Sequence, residues 1–446
     1  HGRDLAQTVT LATGARLTAG GKGAGLIETS AHHVKTGKMT VDAGHGGTWL
    51  TDPDDLTIDS DAASTIQTAL NAGTNVTEQT TASGTSGAGT VASGNGDINV
   101  NAGIAWSGKA TLTLDAYRNL NVNAPITVND SGAVVIKTGG DDIFNTGGSL
   151  TYATQNAGSL SVNGAAYTLV WGLAGLNSIG DGYITNNYAL AGDVDNAGAA
   201  FTPIVHTGRF TGIFDGLGHS VSNLNVHDTT HAASGLFGIS SGTIANVTVS
   251  GIIDGRGGPT TSYVGGIVGQ NNGIVRDSHS SATVYGYYAG GLSGGSATGT
   301  ATIKRSTASG NVYALDGSPY AGGLAGTAYS VIDSSASGDV ISSVANSYVG
   351  GLIGYMTGDI SGSSASGNVT ASGNNVRAGG LIGFSTGGIS DSIATGAVNA
   401  GTKAVAGGLV GQASGALTNV RASGDVVAGD GATAGGLAGS NYGAVT

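Results

Sequence analysis

The side chains best placed to do chemistry in this chain are carboxylates, histidines and tyrosines, because it contains no cysteine. Cleavage of a polysaccharide wants two carboxylates across a cleft, or a carboxylate-held cation beside a basic group. The candidates are Asp52, Asp54 and Asp55 around Pro53, and Asp141 with Asp142 after Gly139-Gly140. Both clusters read as turns, since Pro, Gly and Asp suit turn geometry. Asp277, Asp333, Asp339 and Asp425 recur at turn positions further on, and no Lys or Arg is expected to flank them on neighbouring coils. His32 and His33 are adjacent, and successive strand residues point to opposite faces, which makes them a poor joint metal site. His45 and His219 stand beside glycines and read as turn residues. No Gly-x-Ser-x-Gly sits on a strand-to-helix turn, and the repeated calcium-binding nonapeptide is missing. The expectation is a chain without catalytic residues, metal or cofactor.

The tyrosines are more informative. Tyr263, Tyr288, Tyr320 and Tyr348 each stand four residues before a repeated apolar anchor, where later repeats carry Arg377, Val405 and Thr433. Stacked coils would line them into an aromatic ladder, or into a platform for sugar faces, with Tyr285, Tyr287 and Tyr313 nearby. Strict alternation from an inward anchor points the tyrosines inward, although paired glycines can break that alternation. The expected role of the column is structural.

Positioning such a column requires a periodic scaffold, and the second half of the chain supplies one. Gly-Gly-Leu/Ile-x-Gly recurs at Ile267, Leu292, Leu324, Leu352, Leu381, Leu409 and Leu437, with a variant at Leu236. Val284, Val312, Val340, Val369, Val398 and Val426 keep a second register at spacings of 28 or 29. Ser278, Ser306, Ser334, Ser363 and Ser392 keep a third. Each unit is too small to bury its own apolar face, so repeats must stack, at one strand spacing of ~4.8 Å. The pattern predicts an all-β, parallel β-solenoid. The first half has the same texture in segments such as Leu120-Asn121-Val122-Asn123. Helices are expected over 61–70, capped by Ser60, and over 173–179, with a surface excursion near 79–96.

Composition closes off several other classes. Glycine accounts for 83 of 446 residues, charged residues for 10%, and the net charge is −12. That balance offers no basic footprint for nucleic acid. Five prolines without a Gly-x-y period exclude collagen, and no apolar run is long enough to span a bilayer as a helix. The chain starts at His1 and stops inside a repeat, and so reads as a mature fragment of a longer protein.

Val264-Gly265-Gly266-Ile267-Val268-Gly269-Gln270 and Ala406-Gly407-Gly408-Leu409-Val410-Gly411-Gln412 resemble GLUG motifs of large secreted bacterial surface proteins. Phe210 to His219 is similar to the segment that leads into GLUG arrays. Gly25 to Ser30 and Trp49 to Ile58 resemble passenger segments of filamentous-haemagglutinin-like adhesins. This resemblance implies a right-handed parallel β-helix exported to the outer cell surface by two-partner secretion. It divides the chain into 1–60, 61–200 and a GLUG array over 201–446. It also implies a monomeric, non-catalytic adhesin or biofilm scaffold that meets a surface glycan, matrix polysaccharide or host protein. An outer-membrane transporter is its expected export partner. A carbohydrate-active β-helix enzyme and a passive stalk are the alternatives.

Overall fold

The computed structural model describes residues 6–20, 23–81, 94–296, 298–314, 317 and 319–446. The core of the expected excursion, 82–93, lies outside the described residues. The fold is a β-solenoid of about 15 turns, 49% strand and 4% helix. It comprises two compact units, His1–Trp171 with Asn187–Gly192 and Leu217–His219, and Gly172–Asn186 with Asp193–Gly216 and Ser220–Thr446. No helix among the described residues is long and apolar enough to cross a membrane.

In the first unit each coil has three faces. The first coil is β1 (Thr8–Leu11), β2 (Arg16–Thr18) and β3 (Leu26–Ser30). The second is β4 (His33–Thr36), β5 (Thr40–Asp42) and β6 (Thr48–Asp52). The third is β7 (Leu56–Ile58), α1 (Ser60–Asn71) and β8 (Asn75–Gln79), and the fourth is β9 (Ile98–Val100), β10 (Ile104–Trp106) and β11 (Thr111–Ala116). One face is an unbroken parallel ladder through β3, β6, β8 and β11. Its alternate residues, including Trp49, Val76, Leu112 and Leu114, fill the core.

On the second face α1 stands where a strand would. Asp59 caps it, accepting from the backbone N–H groups of Asp61 and Ala62, so the expected cap at Ser60 is off by one residue. Asp59 holds the extended backbone a cap needs, whereas Ser60 is already helical. Ile66, Ala69 and Leu70 face the core as their spacing predicts. A helix cannot continue a sheet ladder, so its side chains partner the flanking backbone instead. The Thr65 hydroxyl accepts from Met39 N–H and donates to the Gly37 carbonyl, both at 3.0 Å. Gln67 Oε1 accepts from Ala105 N–H at 3.2 Å, and Asn71 Oδ1 from Ser107 N–H at 3.0 Å. The second helix, α2 (Gly172–Asn177), is short and lies where 173–179 was expected.

The second unit runs on in-register pairing between successive repeats. Leu324 N–H donates to Leu352 O, Leu352 N–H to Leu381 O, and Leu381 N–H to Leu409 O, at 2.8–2.9 Å. The anchors from Leu236 to Leu409 are wholly buried, and so are Val284, Val312, Val340, Val369 and Val398. The serine register forms a ladder of its own. Ser306 N–H donates to Ser334 Oγ and Ser334 N–H to Ser363 Oγ, both 3.2 Å, while Ser334 Oγ donates to Ile332 O at 2.8 Å. The residue before the serine turns the corner with positive φ at Asp277, Arg305, Asp333 and Asp391, and Asn419 does the same before Val420 one repeat on.

Paired glycines are required by proximity at the anchor corner. A Cβ on Gly351 would lie 2.1 Å from Gly380 O and 3.1 Å from Ala365 Cβ, and one on Gly323 would lie 2.2 Å from Gly351 O. Both carbonyl oxygens are main-chain atoms of the next coil, which move far less freely than the end of a flexible side chain. Gly351→Ala is therefore expected to destabilise the second unit by about 1–3 kcal/mol, the range for overpacking. Denaturant unfolding measures this, and an unchanged midpoint would refute the close-approach account.

Candidate functional site

Each unit gathers unusual side chains at one place. In the second unit, parallel pairing sets Tyr263 beside Tyr288, Tyr320 and Tyr348, and then Arg377. Ring centroids are 4.9, 5.0 and 5.1 Å apart, with interplanar angles closing from 37° to 10°. The guanidinium of Arg377 caps the column 4.9 Å over Tyr348. Tyr355 and Phe384 form a second stack at 5.5 Å alongside.

The tyrosines face outward and are half-buried, contrary to strict alternation from the anchor. Val264, Ala289, Ala321 and Val349 take the inward positions beside them, and the two glycines reset the phase before the leucine. Ring faces are spent on one another, so the column presents edges and hydroxyls rather than a sugar platform. Burial, then the neighbouring tyrosines, pushes the Tyr288 hydroxyl up to about 12.

Tyr287 stands edge-on to Tyr288, at 4.8 Å and 74°, and breaks from the column. It lines an open cavity of about 540 Å³ together with Arg256, Pro259, Thr260, Ser343 and Val344. Arg256 is fixed by Asp254, with contacts of 2.7–3.1 Å, and lies 4.5 Å over Tyr285, which stacks on Tyr313. An aromatic wall, a guanidinium and hydroxyls are groups that hydrogen-bond and stack on a glycan.

The carboxylates are mostly committed to structure. Asp277 takes a bidentate contact from Arg305 on the next coil, at 2.6 and 2.8 Å. This overturns the expectation that no cation flanks the repeat acids; Arg305 occupies the same corner as Asp277, one repeat later. Asp54 is buried 3.0 Å from His32, while His33 points out as alternation requires. Asp55 Oδ1 accepts three backbone N–H groups from residues 95–97. Asp52 and Asp142 lie on strands, not in turns. Asp141 receives the Asn119 side-chain oxygen at its own N–H, and Asp339 accepts from Asn368 N–H. His219 is buried against Leu150 O, and His45 packs on Gly73. No group of three or more His, Asp or Glu among the described residues could hold a metal ion.

The exception is Glu78, which the turn-centred reading missed. It occupies an inward position of β8, two residues after Val76, and is 2% exposed. Its ladder neighbours are Thr51 and Leu114. Burial pushes its carboxyl up to about 8, with Thr51 partly opposing the shift. An acid two residues after valine on an alternating strand was the available signal. Nearby Asp52 is raised to about 6, first by burial and then by Glu28, Asp54 and Asp115. Glu78 lines a cavity of about 330 Å³ that opens between β4 and β7 and also exposes His33, Lys35, Asp55 and Asp59.

Comparison with known proteins agrees with the repeat register. The GLUG motif model matches residues 260–285 and 345–370. Each match runs from the ladder tyrosine through the anchor and the serine to the inward valine of one repeat. Halomucin of Haloquadratum walsbyi is 34% identical over 125 residues, covering 24% of this chain and 1% of that protein. The chain thus spans about 1% of the length of that relative. No solved structure matches it significantly.

Glu78 makes a pH prediction. The folded chain holds this proton up to about pH 8, whereas an exposed glutamate releases it near 4.5. The folded state binds more protons across that window, so stability falls as pH rises through it, by up to about 1.4 kcal/mol per unit. Glu78→Gln keeps the shape without the charge, and its unfolding midpoint should change far less between pH 5 and pH 8. Parallel slopes for variant and parent would refute the assignment.

Proposed function

We propose that this chain is a secreted, non-catalytic surface adhesin or matrix scaffold of the filamentous-haemagglutinin-like type, exported by two-partner secretion, that binds glycan. The observation that carries the reading is the cavity lined by Tyr287 and Arg256 beside the aromatic column. Tyr287 meets the column edge-on at Tyr288 and lines the cavity together with Arg256, so an aromatic ring and a guanidinium border the same space. The ladder behind it supplies rigidity, so little ordering accompanies binding. GLUG repeats and the likeness to a protein called halomucin support placement outside the cell. The structural engagement of Asp54, Asp55, Asp254 and Asp277 favours binding over catalysis.

Two substitutions separate the column from the cavity. Tyr320→Ala removes a ring stacked on both sides and should lower the melting temperature, because each aromatic pair contributes about 0.5–1.5 kcal/mol beyond area burial. Its effect on glycan binding should be small. Tyr287→Ala removes one edge-on ring contact, so it should lower the melting temperature less than Tyr320→Ala does, yet weaken binding on a glycan array roughly tenfold, the equivalent of ~1.4 kcal/mol. Equal glycan binding by the Tyr287 variant and the parent, or no binding by either, would count against the proposal.

A further inference from the structure

We propose that the gap between β4 and β7 is a slot that receives one extended peptide strand from another protein. The first face of the first unit is interrupted there: β4 pairs with β1, β7 pairs with β9, and the two do not pair with each other. The coils are still joined just before the gap, where Asp54 N–H donates to His32 O at 3.1 Å and the two side chains meet. Beyond that point they part.

The separation follows from α1 on the adjacent face. A helix with its side chains is about 10 Å across, roughly two strand spacings. Forcing one between β5 and β10 spreads the second and third coils where a strand would have held them at one spacing. The unbroken β6–β8 ladder keeps them closed on the third face. The first face is left open between β4 and β7, where the cavity lies.

The walls of the gap carry the hydrogen-bonding pattern a strand would meet. In β4, His33 and Gly37 donate their N–H groups to Gln7 and Leu11 on the β1 side. Backbone groups alternate sides along a strand, so Val34 and Thr36 turn their N–H and C=O toward the gap. In β7, Leu56 N–H donates to Asp97 O and Ile58 O accepts from Asn101 N–H, both on the β9 side. Thr57 therefore faces the gap from below. The main-chain groups of Val34, Thr36 and Thr57 have no hydrogen-bond partner among the described residues. All three residues line the 330 Å³ cavity. A strand laid between them would find main-chain partners on both edges, and such bonds are what give strand addition its affinity.

The inner wall selects the side chain. Trp49, Ile58 and Ala62 are buried apolar neighbours, with the Glu78 carboxyl among them. A small hydroxyl or amide side chain fits there, and an acidic one does not. The rim carboxylates Asp55 and Asp59 are already engaged by backbone N–H groups, while His33 and Lys35 remain exposed toward the outward-facing positions.

The test uses the whole chain and a blocked pentapeptide, acetyl-Thr-Val-Ser-Val-Thr-amide, in calorimetric titration. Saturable binding is expected. Methylating the backbone nitrogens on either side of the central residue should weaken it roughly tenfold or more, with the protein itself unaltered. Val34→Pro and Thr57→Pro should weaken it similarly while the melting temperature is kept, since each removes an N–H that bonds nothing internally. Absence of saturable binding overturns the proposal, as does equal affinity for the methylated peptide. Displacement of the peptide by free glucose would assign the cavity to a small sugar and overturn it as well.

Discussion

The repeat array of the second unit depends on successive coils approaching to one strand spacing while staying in register. Where the wall turns sharply, no room is left for a side chain. The carbonyl of Gly351 would lie 2.2 Å from a Cβ on Gly323, and Gly380 stands in the same relation to Gly351. Close approach at that corner allows the anchor leucines to bond backbone to backbone and stack inside. It also brings outward side chains of adjacent coils to about 5 Å, the separation at which tyrosine rings stack. The glycine content is thus a geometric requirement from which the aromatic column follows.

The same register turns like residues into ladders. Ser306, Ser334 and Ser363 pass a hydrogen bond from coil to coil because each sits at the same corner. In the first unit Asn123 bonds Asn101 and Asn145 bonds Asn123, both at 2.7 Å. An occasional departure becomes an interaction in its own right, as when Arg305 replaces an acid in the corner column and binds the acid before it. Stability therefore rests on repeated short-range polar and packing contacts, with few charges involved.

Spacing made the second half legible. Valines and serines keep a spacing of 28 or 29, tyrosines keep a fixed offset of four residues from the anchors, and stacking in register brings each set together. What spacing did not reveal was phase: the tyrosines face outward because Gly265-Gly266 shifts the alternation, which a period alone cannot express. The first half was less legible because its strands share no repeated sequence. The helix over 61–70 was visible in its apolar spacing, but its place as a strand substitute was not. That role depends on Thr65, Gln67 and Asn71 reaching neighbouring coils distant in sequence. Glu78 is not legible from turn chemistry, because its environment is set by alternation on β8.

Pairing between residues 28 or 29 apart has a consequence for how the chain reaches its fold. Val312 meets Val340, and Val340 meets Val369, so the loop that must close stays close to one repeat long from step to step. Adding coils raises the number of contacts without raising the sequence distance each one spans, and it is that distance which slows folding. A repeat can therefore dock onto its predecessor as soon as it has emerged, whether or not the remainder of the chain exists. The array is suited to vectorial assembly, growing one coil at a time from an already ordered end.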